Sequence, residues 1–504
     1  MREKWVHQVL AALLVSGGLV AGCGSSTTGG GDGDEDDGVI NPDPDPNPTA
    51  SFVGAAGVTV SQVNIYQGPE RVLALGGAAQ PANVPLVAGR DALVRVFYQA
   101  APEQVGKTVV GRLEIVGQEV PFEVEAVVAA GSVQEQLETT INFLIPGDVI
   151  GEVFEYRVSI LEDGEADNPT AHHPVEGFEG HVVEGPRNTF RVMMVPFQYN
   201  ADGSGRTPDM SPEAIEAYRQ RFLQLFPVSN VQVAAREPVP WNQQISPFGQ
   251  GWQEVGQQLF QIRESEKPSD DWYYYALFQP TSSVAQFCSQ GCLLGVTLLN
   301  DQPLDVGNPA LRIALGVGFP EVSKDTAAHE LGHAHGRAHA PCGGPDGIDP
   351  GFPYAGAGIG PWSWDVVGKG LVNPAGMTDI MGYCDNQWVS DYTFNALLSR
   401  GQHVNMPKWQ EAPAADERVA YDVISVNGAG QAEWQQRITR ETLRELPTVP
   451  VHLESKTATR DVQGHYYPYD HLPGGWLLVP AGDFEANRAR FAIDGMELDA
   501  TIQH

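Results

Sequence analysis

The sequence predicts a multidomain protein in which an α/β domain is flanked by an N-terminal β-sandwich and a small C-terminal β domain. The chain of 504 residues is too long for one ordinary domain. Its 42% apolar and 18% charged residues are typical of globular proteins. Strand-like and helix-like segments alternate in the middle of the chain, whereas β-type runs separated by turns dominate on both sides of it.

The first 50 residues are predicted to be a targeting segment and a tether. An apolar run over residues 9–20 follows two basic residues and is too short to cross a bilayer. It ends in Val-Ala-Gly-Cys, which resembles a bacterial lipobox. Residues 1–23 are therefore expected to be a lipoprotein signal peptide, with Cys23 as the lipid-modified first mature residue. The alternative is an ordinary signal peptide and a chance cysteine. Residues 24–50 have almost no apolar side chains and predict a disordered tether.

Residues 51–187 are predicted to form the β-sandwich, either a permanent accessory domain or a removable pro-domain. β-type runs alternate with turn residues at sandwich-like spacing; they cover residues 58–65, 92–98, 112–116 and 156–160. No catalytic cluster is apparent there. His172, His173 and His181 fall in a polar stretch rich in Pro and Gly, so they are expected to lie in loops.

Residues 188–408 are predicted to be the α/β catalytic domain. Five strand candidates alternate with amphipathic helices, which is typical of an α/β sheet. The strands cover residues 189–196, 231–234, 271–278, 293–299 and 311–315, and the helices residues 211–226 and 252–264. A third helix is expected to begin near Ser323, with Ser323 or Asp325 as its N-cap, and a fourth covers residues 390–399. The β-type patterning of residues 409–504 predicts the small C-terminal β domain.

Four of the thirteen histidines lie within one run of eleven residues, His-Glu-Leu-Gly-His-Ala-His-Gly-Arg-Ala-His, at positions 329–339. On a helix, residues four apart lie roughly 40° from each other around the axis. His329 and His333 can therefore supply two ligands of a tetrahedral zinc ion. Glu330 can reach a water on the metal without being a ligand. Gly336 allows the chain to leave the helix, so that His339 can return as a third ligand.

This run resembles the extended zinc signature of metzincin metalloproteases, His-Glu-x-x-His-x-x-Gly-x-x-His. The resemblance implies one catalytic Zn²⁺ held by His329, His333 and His339, with the fourth position open and Glu330 as general base. The remaining histidine of the run, His335, is expected to face solvent or to pack locally.

Metzincins also carry a tight turn with a methionine beneath the metal. Asp-Ile-Met-Gly-Tyr-Cys at positions 379–384 matches this turn, so the resemblance assigns Met381 to it. Several metzincin families have a tyrosine at the position of Tyr383, where it binds the resting zinc or donates a hydrogen bond to the tetrahedral intermediate. The alternative for Tyr383 is a packed core aromatic residue.

Four cysteines besides Cys23 predict two disulfides in an exported chain, with three possible pairings. The resemblance favours a bond between Cys342 and Cys384, which would tie the third-ligand loop to the methionine turn. Cys288 and Cys292 would then form a short local bridge.

The resemblance implies a zinc-dependent endopeptidase that hydrolyses peptide bonds of extracytoplasmic proteins and binds an extended peptide along an edge strand. Two alternatives remain open. One is a surface-binding lipoprotein with a vestigial zinc site, and the other is a zinc amidase acting on cell-wall peptides. A net charge of −33 argues against nucleic-acid partners. Residues 343–360, rich in Gly, Pro and Asp, suggest either a structural Ca²⁺ site or a plain turn-rich loop. Cleavage specificity and oligomeric state are not indicated.

Overall fold

A computed structural model describes residues 52–301, 307–405, 418–441 and 448–502 of the protein. The fold is mixed α/β, rich in strands and built from several sheets, and the described residues belong to one compact unit. The predicted signal peptide, Cys23 and the tether lie outside these residues. Among the described helices, none combines the length and apolar character needed to span a bilayer.

The N-terminal part consists of strands in two sheets. In order they are β1 (Phe52–Gly54), β2 (Val58–Tyr66), β3 (Glu70–Leu75), β4 (Ala78–Ala79), β5 (Leu86–Val87), β6 (Ala92–Ala100), β7 (Thr108–Ile115), β8 (Phe122–Val127), β9 (Ile141–Ile145), β10 (Val153–Asp163), β11 (His172–His173) and β12 (Glu179–Glu184). One sheet has the order β4-β3-β2-β6-β9. The other has the order β5-β12-β10-β7-β8, with β1 and β11 paired to β10. Apolar side chains from both sheets form one core.

The prediction that the three histidines of this part lie in loops is wrong. His172 and His173 form β11, His181 lies in β12, and all three are buried. Their ring nitrogens are satisfied by carboxylates, since Glu179 contacts both His173 (3.2 Å) and His181 (2.9 Å). A local polar composition therefore did not reveal that these imidazoles pair with acidic groups inside the fold.

The central part contains the helices. In order its elements are β13 (Thr189–Tyr199), α1 (Pro212–Leu225), β14 (Asn230–Ala235), β15 (Val239–Trp241), α2 (Trp252–Glu266), β16 (Trp272–Phe278), α3 (Val284–Phe287), β17 (Gly295–Thr297), β18 (Ile313–Val317), α4 (Ser323–Ala334), β19 (Ser363–Asp365), β20 (Gly370–Val372), β21 (Thr378–Asp379), β22 (Gln387–Trp388) and α5 (Asp391–Asn405). The main sheet has the order β14-β13-β16-β18-β17, with β15 also paired to β13. β17 is antiparallel to β18 and forms one edge, while the other pairs are parallel.

Capping explains where most of these helices begin. The Ser211 hydroxyl accepts a hydrogen bond from the Ala214 N–H at the start of α1, and Ser390 caps α5 through the Thr393 N–H. The N-cap predicted for the third helix is wrong. Val322 occupies that position without a side-chain bond, and Ser323 is already the first helical residue.

The C-terminal part is an antiparallel sheet of seven strands. They are β23 (Arg418–Asn427), β24 (Ala432–Glu441), β25 (Val449–Glu454), β26 (Thr459–Pro468), β27 (Gly474–Pro480), β28 (Arg488–Ile493) and β29 (Met496–Thr501), in the order β24-β23-β27-β26-β25-β28-β29. This sheet shares a hydrophobic core with α2 and the central sheet. At its centre the buried Trp476 packs edge-on against Phe260, with ring centroids 4.6 Å apart. The boundaries predicted between the three parts stay predictions, because the parts pack as one unit.

Candidate metal centre

Helix α4 carries His329, Glu330 and His333 on its buried side. The helix ends at Ala334, and Gly336 then adopts a φ of +81°, which L-residues with a side chain rarely tolerate. A Cβ atom on Gly336 would also lie 2.6 Å from a guanidinium nitrogen of Arg400. Glycine is therefore required at this turn, after which the chain brings the buried His339 back to the helix.

The three histidines predicted as ligands converge through their Nε2 atoms. The Nε2 atom of His333 lies 3.1 Å from that of His329 and 3.1 Å from that of His339. Zinc–nitrogen bonds of about 2.0–2.1 Å in tetrahedral geometry would place ligand nitrogens about 3.3 Å apart. The spacing of His333 from each of the other two imidazoles therefore fits two ligands of a small tetrahedral metal ion.

Each of the three imidazoles uses its other nitrogen to donate to a backbone carbonyl. His329 Nδ1 donates to Ile380 O (2.6 Å), and His333 Nδ1 donates to Arg337 O (2.5 Å). His339 Nδ1 donates to the main-chain oxygen of Asp346 (2.5 Å). With Nδ1 as the donor, the Nε2 atom of each imidazole carries the lone pair, as metal-binding histidines require.

The turn at Met381 supports the site from below. Met381 is buried, and a Cβ on Gly332 of α4 would lie 2.5 Å from its sulfur, so the turn is in close contact with the helix. Met381 O accepts from the N–H of Ala340, next to the third histidine. The buried Asp379 accepts from Met381 N–H (2.9 Å) and Ser390 N–H (2.9 Å), which holds the turn against α5. The turn thus positions His329, through the Ile380 carbonyl, and His339, through the neighbouring Ala340.

Tyr383 lies at the rim of the cluster. Its hydroxyl is 3.0 Å from His339 Nε2, and the residue is 42% exposed, so it is not a packed core aromatic. His335, in contrast, is buried and stacks on Tyr273 with ring centroids 4.3 Å apart. Of the two expectations for His335, local packing is therefore confirmed and exposure to solvent is wrong.

Two disulfides are present, Cys342–Cys384 and Cys288–Cys292, which is the favoured pairing. The first joins the segment after His339 to the turn after Met381. A backbone hydrogen bond from Tyr383 N–H to Cys342 O (2.9 Å) runs beside it. The covalent link therefore connects both sides of the histidine cluster.

The two disulfides are expected to differ in their contribution to stability. Their sequence separations are 42 and 4 residues. From loop-closure entropy, we expect Cys342–Cys384 to add about 4 kcal/mol to the free energy of unfolding of the protein and Cys288–Cys292 to add about 2 kcal/mol. Denaturant unfolding of the Cys342→Ser/Cys384→Ser and Cys288→Ser/Cys292→Ser variants measures both, and each serves as the control for the other. Equal losses of stability would contradict the prediction.

A cleft of about 770 Å³ opens beside the histidines, between α4, the turn after Met381 and the segment that leads into β17. Its lining combines apolar Leu293 and Leu294 with the ion pair Arg221–Asp325 (2.6 Å). Gly295 of β17 lies so close to Glu330 that a Cβ would be 2.3 Å from Oε1 of the carboxylate. The edge strand and Glu330 are therefore in direct contact along one wall of the cleft.

Sequence reasoning missed Asp470 and His471, which the C-terminal sheet brings to the cluster. The Oδ2 atom of Asp470 lies 3.5 Å from His333 Nε2 and also contacts His471. The His471 ring stacks on Tyr383, with centroids 5.2 Å apart. Asp470 and His471 lie 131 and 132 positions after His339 in the sequence.

Burial controls the protonation of the cluster. It lowers the pKa of His329 to about 3 and lowers that of His333 and His339 as well, so the imidazoles are neutral. The pKa of Glu330 is raised well above its usual range, first by burial and then by the Asp470 carboxylate. Although burial also raises the pKa of Asp470, the neighbouring His471 lowers it below its usual value. Neutral imidazoles beside buried carboxylates form a donor set suited to a dication.

The loop for which the sequence suggested a calcium site, residues 343–360, contributes one of its two carboxylates to protein contacts. The carboxylate of Asp349 accepts hydrogen bonds from Arg337 (3.0 Å) and from the Tyr392 hydroxyl (2.9 Å). Calcium at this loop stays a prediction.

Comparison with known proteins does not extend these observations. No family model matches the sequence, and a search of the curated proteins found no match either. Function must therefore be argued from the geometry of the cluster.

Proposed function

We propose that the protein is a zinc-dependent endopeptidase of the metzincin type, with His329, His333 and His339 as the metal ligands. The observation that carries this proposal is the convergence of three neutral imidazoles, each oriented by a backbone carbonyl, beside a buried glutamate. Three protein ligands are typical of catalytic zinc, whereas structural zinc has four. The contact between Met381 and the helix supports the metzincin assignment.

Zinc held by His329, His333 and His339 would supply Lewis acidity for the scissile carbonyl and for water. Glu330 has the role of general base and then general acid, because its carboxylate is buried next to the ligands and has a raised pKa. It accepts the proton of the attacking water and delivers it to the leaving amine. The Tyr383 hydroxyl, at the rim of the cluster, donates a hydrogen bond to the oxyanion that develops.

The substrate is proposed to be an extended polypeptide. β17 is an edge strand that touches the proposed base through Gly295, and a peptide can pair with the backbone groups of such a strand. The cleft beside it is within the usual size of ligand sites, which is about 300–1,000 Å³. Peptide side chains would occupy the cleft while the main chain follows the strand.

We also propose that the enzyme acts outside the cytoplasm, anchored through Cys23. Two disulfides in one chain support an oxidising compartment. The substrates would then be extracytoplasmic proteins or peptides.

Purified protein is expected to contain one zinc ion per chain and to hydrolyse casein, and a zinc chelator is expected to stop the reaction. Metal analysis, casein cleavage and re-addition of zinc measure this. The matched control is a cell-wall preparation, since release of stem peptides without casein cleavage would favour an amidase. Protein that binds no zinc would contradict the proposal.

A further inference from the structure

The loop between β26 and β27 extends the central sheet beyond its edge strand. Leu298 and Tyr469 form an antiparallel bridge, Leu299 N–H donates to Pro468 O (3.0 Å), and Asp470 N–H donates to Thr297 O (3.1 Å). This segment of the C-terminal part therefore uses the N–H and carbonyl groups of Thr297, the last residue of β17, and pairs with the chain just beyond it, where a peptide that follows β17 would also pair.

The same segment places the carboxylate of Asp470 at the histidine cluster. The side chain is only 2% exposed. Its Oδ1 accepts a hydrogen bond from Thr297 N–H (2.8 Å), which fixes the orientation of the carboxylate. Its Oδ2 lies 3.5 Å from His333 Nε2, close to the spacing of about 3.3 Å expected between two ligands of one tetrahedral ion. Ligand atoms of His333, His339, Asp470 and His471 all lie within 4.8 Å of one another, and those of His329, Glu330 and His471 form a second such group.

We propose that Asp470 is a fourth protein ligand of the metal, supplied by the C-terminal part, and that it holds the enzyme in a closed, latent form. This inference rests on the proposed function, because it assumes a metal at the three imidazoles. A site with four protein ligands has no position for water or a substrate carbonyl. A peptide can then react only after residues 470–471 leave β17.

Charge and second-shell contacts favour this role. His471 contacts the buried carboxylate of Asp470, and a dication at the imidazoles would compensate its charge further. The Thr297 N–H acts on Asp470 as the backbone carbonyls act on the histidines, since it orients a ligand from outside. His471 stacks on Tyr383 and lies over the cluster, with its ring centroid 5.0 Å from that of His339.

Opening is expected to involve the loop and not the whole C-terminal sheet. The sheet is anchored by the fully buried Trp476 against Phe260 on α2. Tyr469 at the start of the loop is buried and accepts a hydrogen bond from Trp476 Nε1 (2.7 Å), so it stays with the sheet. Residues 470–471 are held to the edge strand by hydrogen bonds to Thr297, which a peptide strand can replace. Competition for β17 would therefore couple substrate binding to release of the metal from Asp470.

The test uses the full chain loaded with Co²⁺, whose visible absorption reports the number and kind of ligands. Three proteins are compared: the wild type, Asp470→Asn, and the matched control Asp483→Asn, which removes an exposed carboxylate beyond the other end of β27. Asparagine keeps an oxygen for the Thr297 N–H but is a poorer metal ligand. The probe for an open position is acetohydroxamate.

Acetohydroxamate is expected to leave the spectra of the wild type and Asp483→Asn unchanged and to shift that of Asp470→Asn. Metal release to a chelator should be about 10-fold faster or more in Asp470→Asn, since a lost ligand costs at least as much as a lost second-shell partner. Casein hydrolysis by the zinc form should rise about 10-fold or more, because the competent state becomes the main population.

A wild-type spectrum that shifts with acetohydroxamate would overturn the inference, and this measurement needs no variant to fold. So would an Asp470→Asn variant with slower hydrolysis and an unchanged cobalt spectrum. Failure of all three proteins to bind Co²⁺ would overturn both the inference and the proposed function. An open cobalt site in Asp470→Asn without hydrolysis of any polypeptide would support the closure and contradict the proposed function.

Discussion

Replacing Glu330 with glutamine is expected to lower the turnover of casein by about 10²–10⁴-fold, the usual contribution of a general base. Glutamine has nearly the same shape as glutamate but cannot accept the proton of the attacking water. The imidazoles do not depend on this side chain, since their Nδ1 atoms donate to the carbonyls of Ile380, Arg337 and Asp346. Zinc content is therefore expected to stay at one ion per chain.

The Glu330→Gln change is made in the wild-type chain and in the Asp470→Asn chain. Turnover at saturating casein and zinc content are then measured for each. Glu213→Gln is the matched control, because it makes the same change at an exposed position in the first turn of α1. Full activity in Glu330→Gln would show that another group is the base.

Replacing His333 with alanine is expected to weaken zinc binding by more than about 100-fold, because loss of a second-shell partner alone costs 10–100-fold. His333 is the central member of the cluster, and its Nε2 is 3.1 Å from that of each neighbouring imidazole. Its removal leaves two imidazoles whose Nε2 lone pairs remain directed at the site. Casein hydrolysis should be lost with the metal.

Competition of the protein against a chromogenic zinc chelator measures the affinity. His403→Ala is the control, because His403 is a half-buried histidine on α5 outside the cluster, and the zinc affinity of this variant should equal that of the wild type. A His333→Ala protein with wild-type affinity would remove this residue from the ligand set.

Helices and strands were predictable where local signals are strong. The apolar spacing of α1 and α2 and the β-type runs of β13, β14 and β16 place these elements to within a few residues of the observed bounds. The edge of the sheet was less accurate. The strand predicted at residues 293–299 is reduced to Gly295–Thr297, and β18 begins two residues later than predicted. Short strands at an edge depend on their partners, which a local pattern does not contain.

Some features of the candidate metal centre could likewise be predicted from the sequence and others could not. Helical periodicity places His329 and His333 one turn apart, and the positive φ of Gly336 is a property of glycine that the sequence displays directly. Asp379, whose carboxylate holds the methionine turn, was visible only as part of the turn motif. The carbonyls that orient the imidazoles could not be predicted, because every residue has one and only the fold selects which are used.

The sequence by itself determined the residues of the candidate metal centre: two imidazoles and a carboxylate at a spacing set by the helix, a third imidazole after Gly336, and cysteines whose favoured pairing is the one observed. Periodicity and side-chain type are local properties, so they can be read along the chain. Only the tertiary structure decided that the C-terminal sheet delivers Asp470 and His471 to that site. The reason is physical: their approach depends on the packing of Trp476 against α2 and on the pairing of a loop with β17, both of which join residues far apart in the chain.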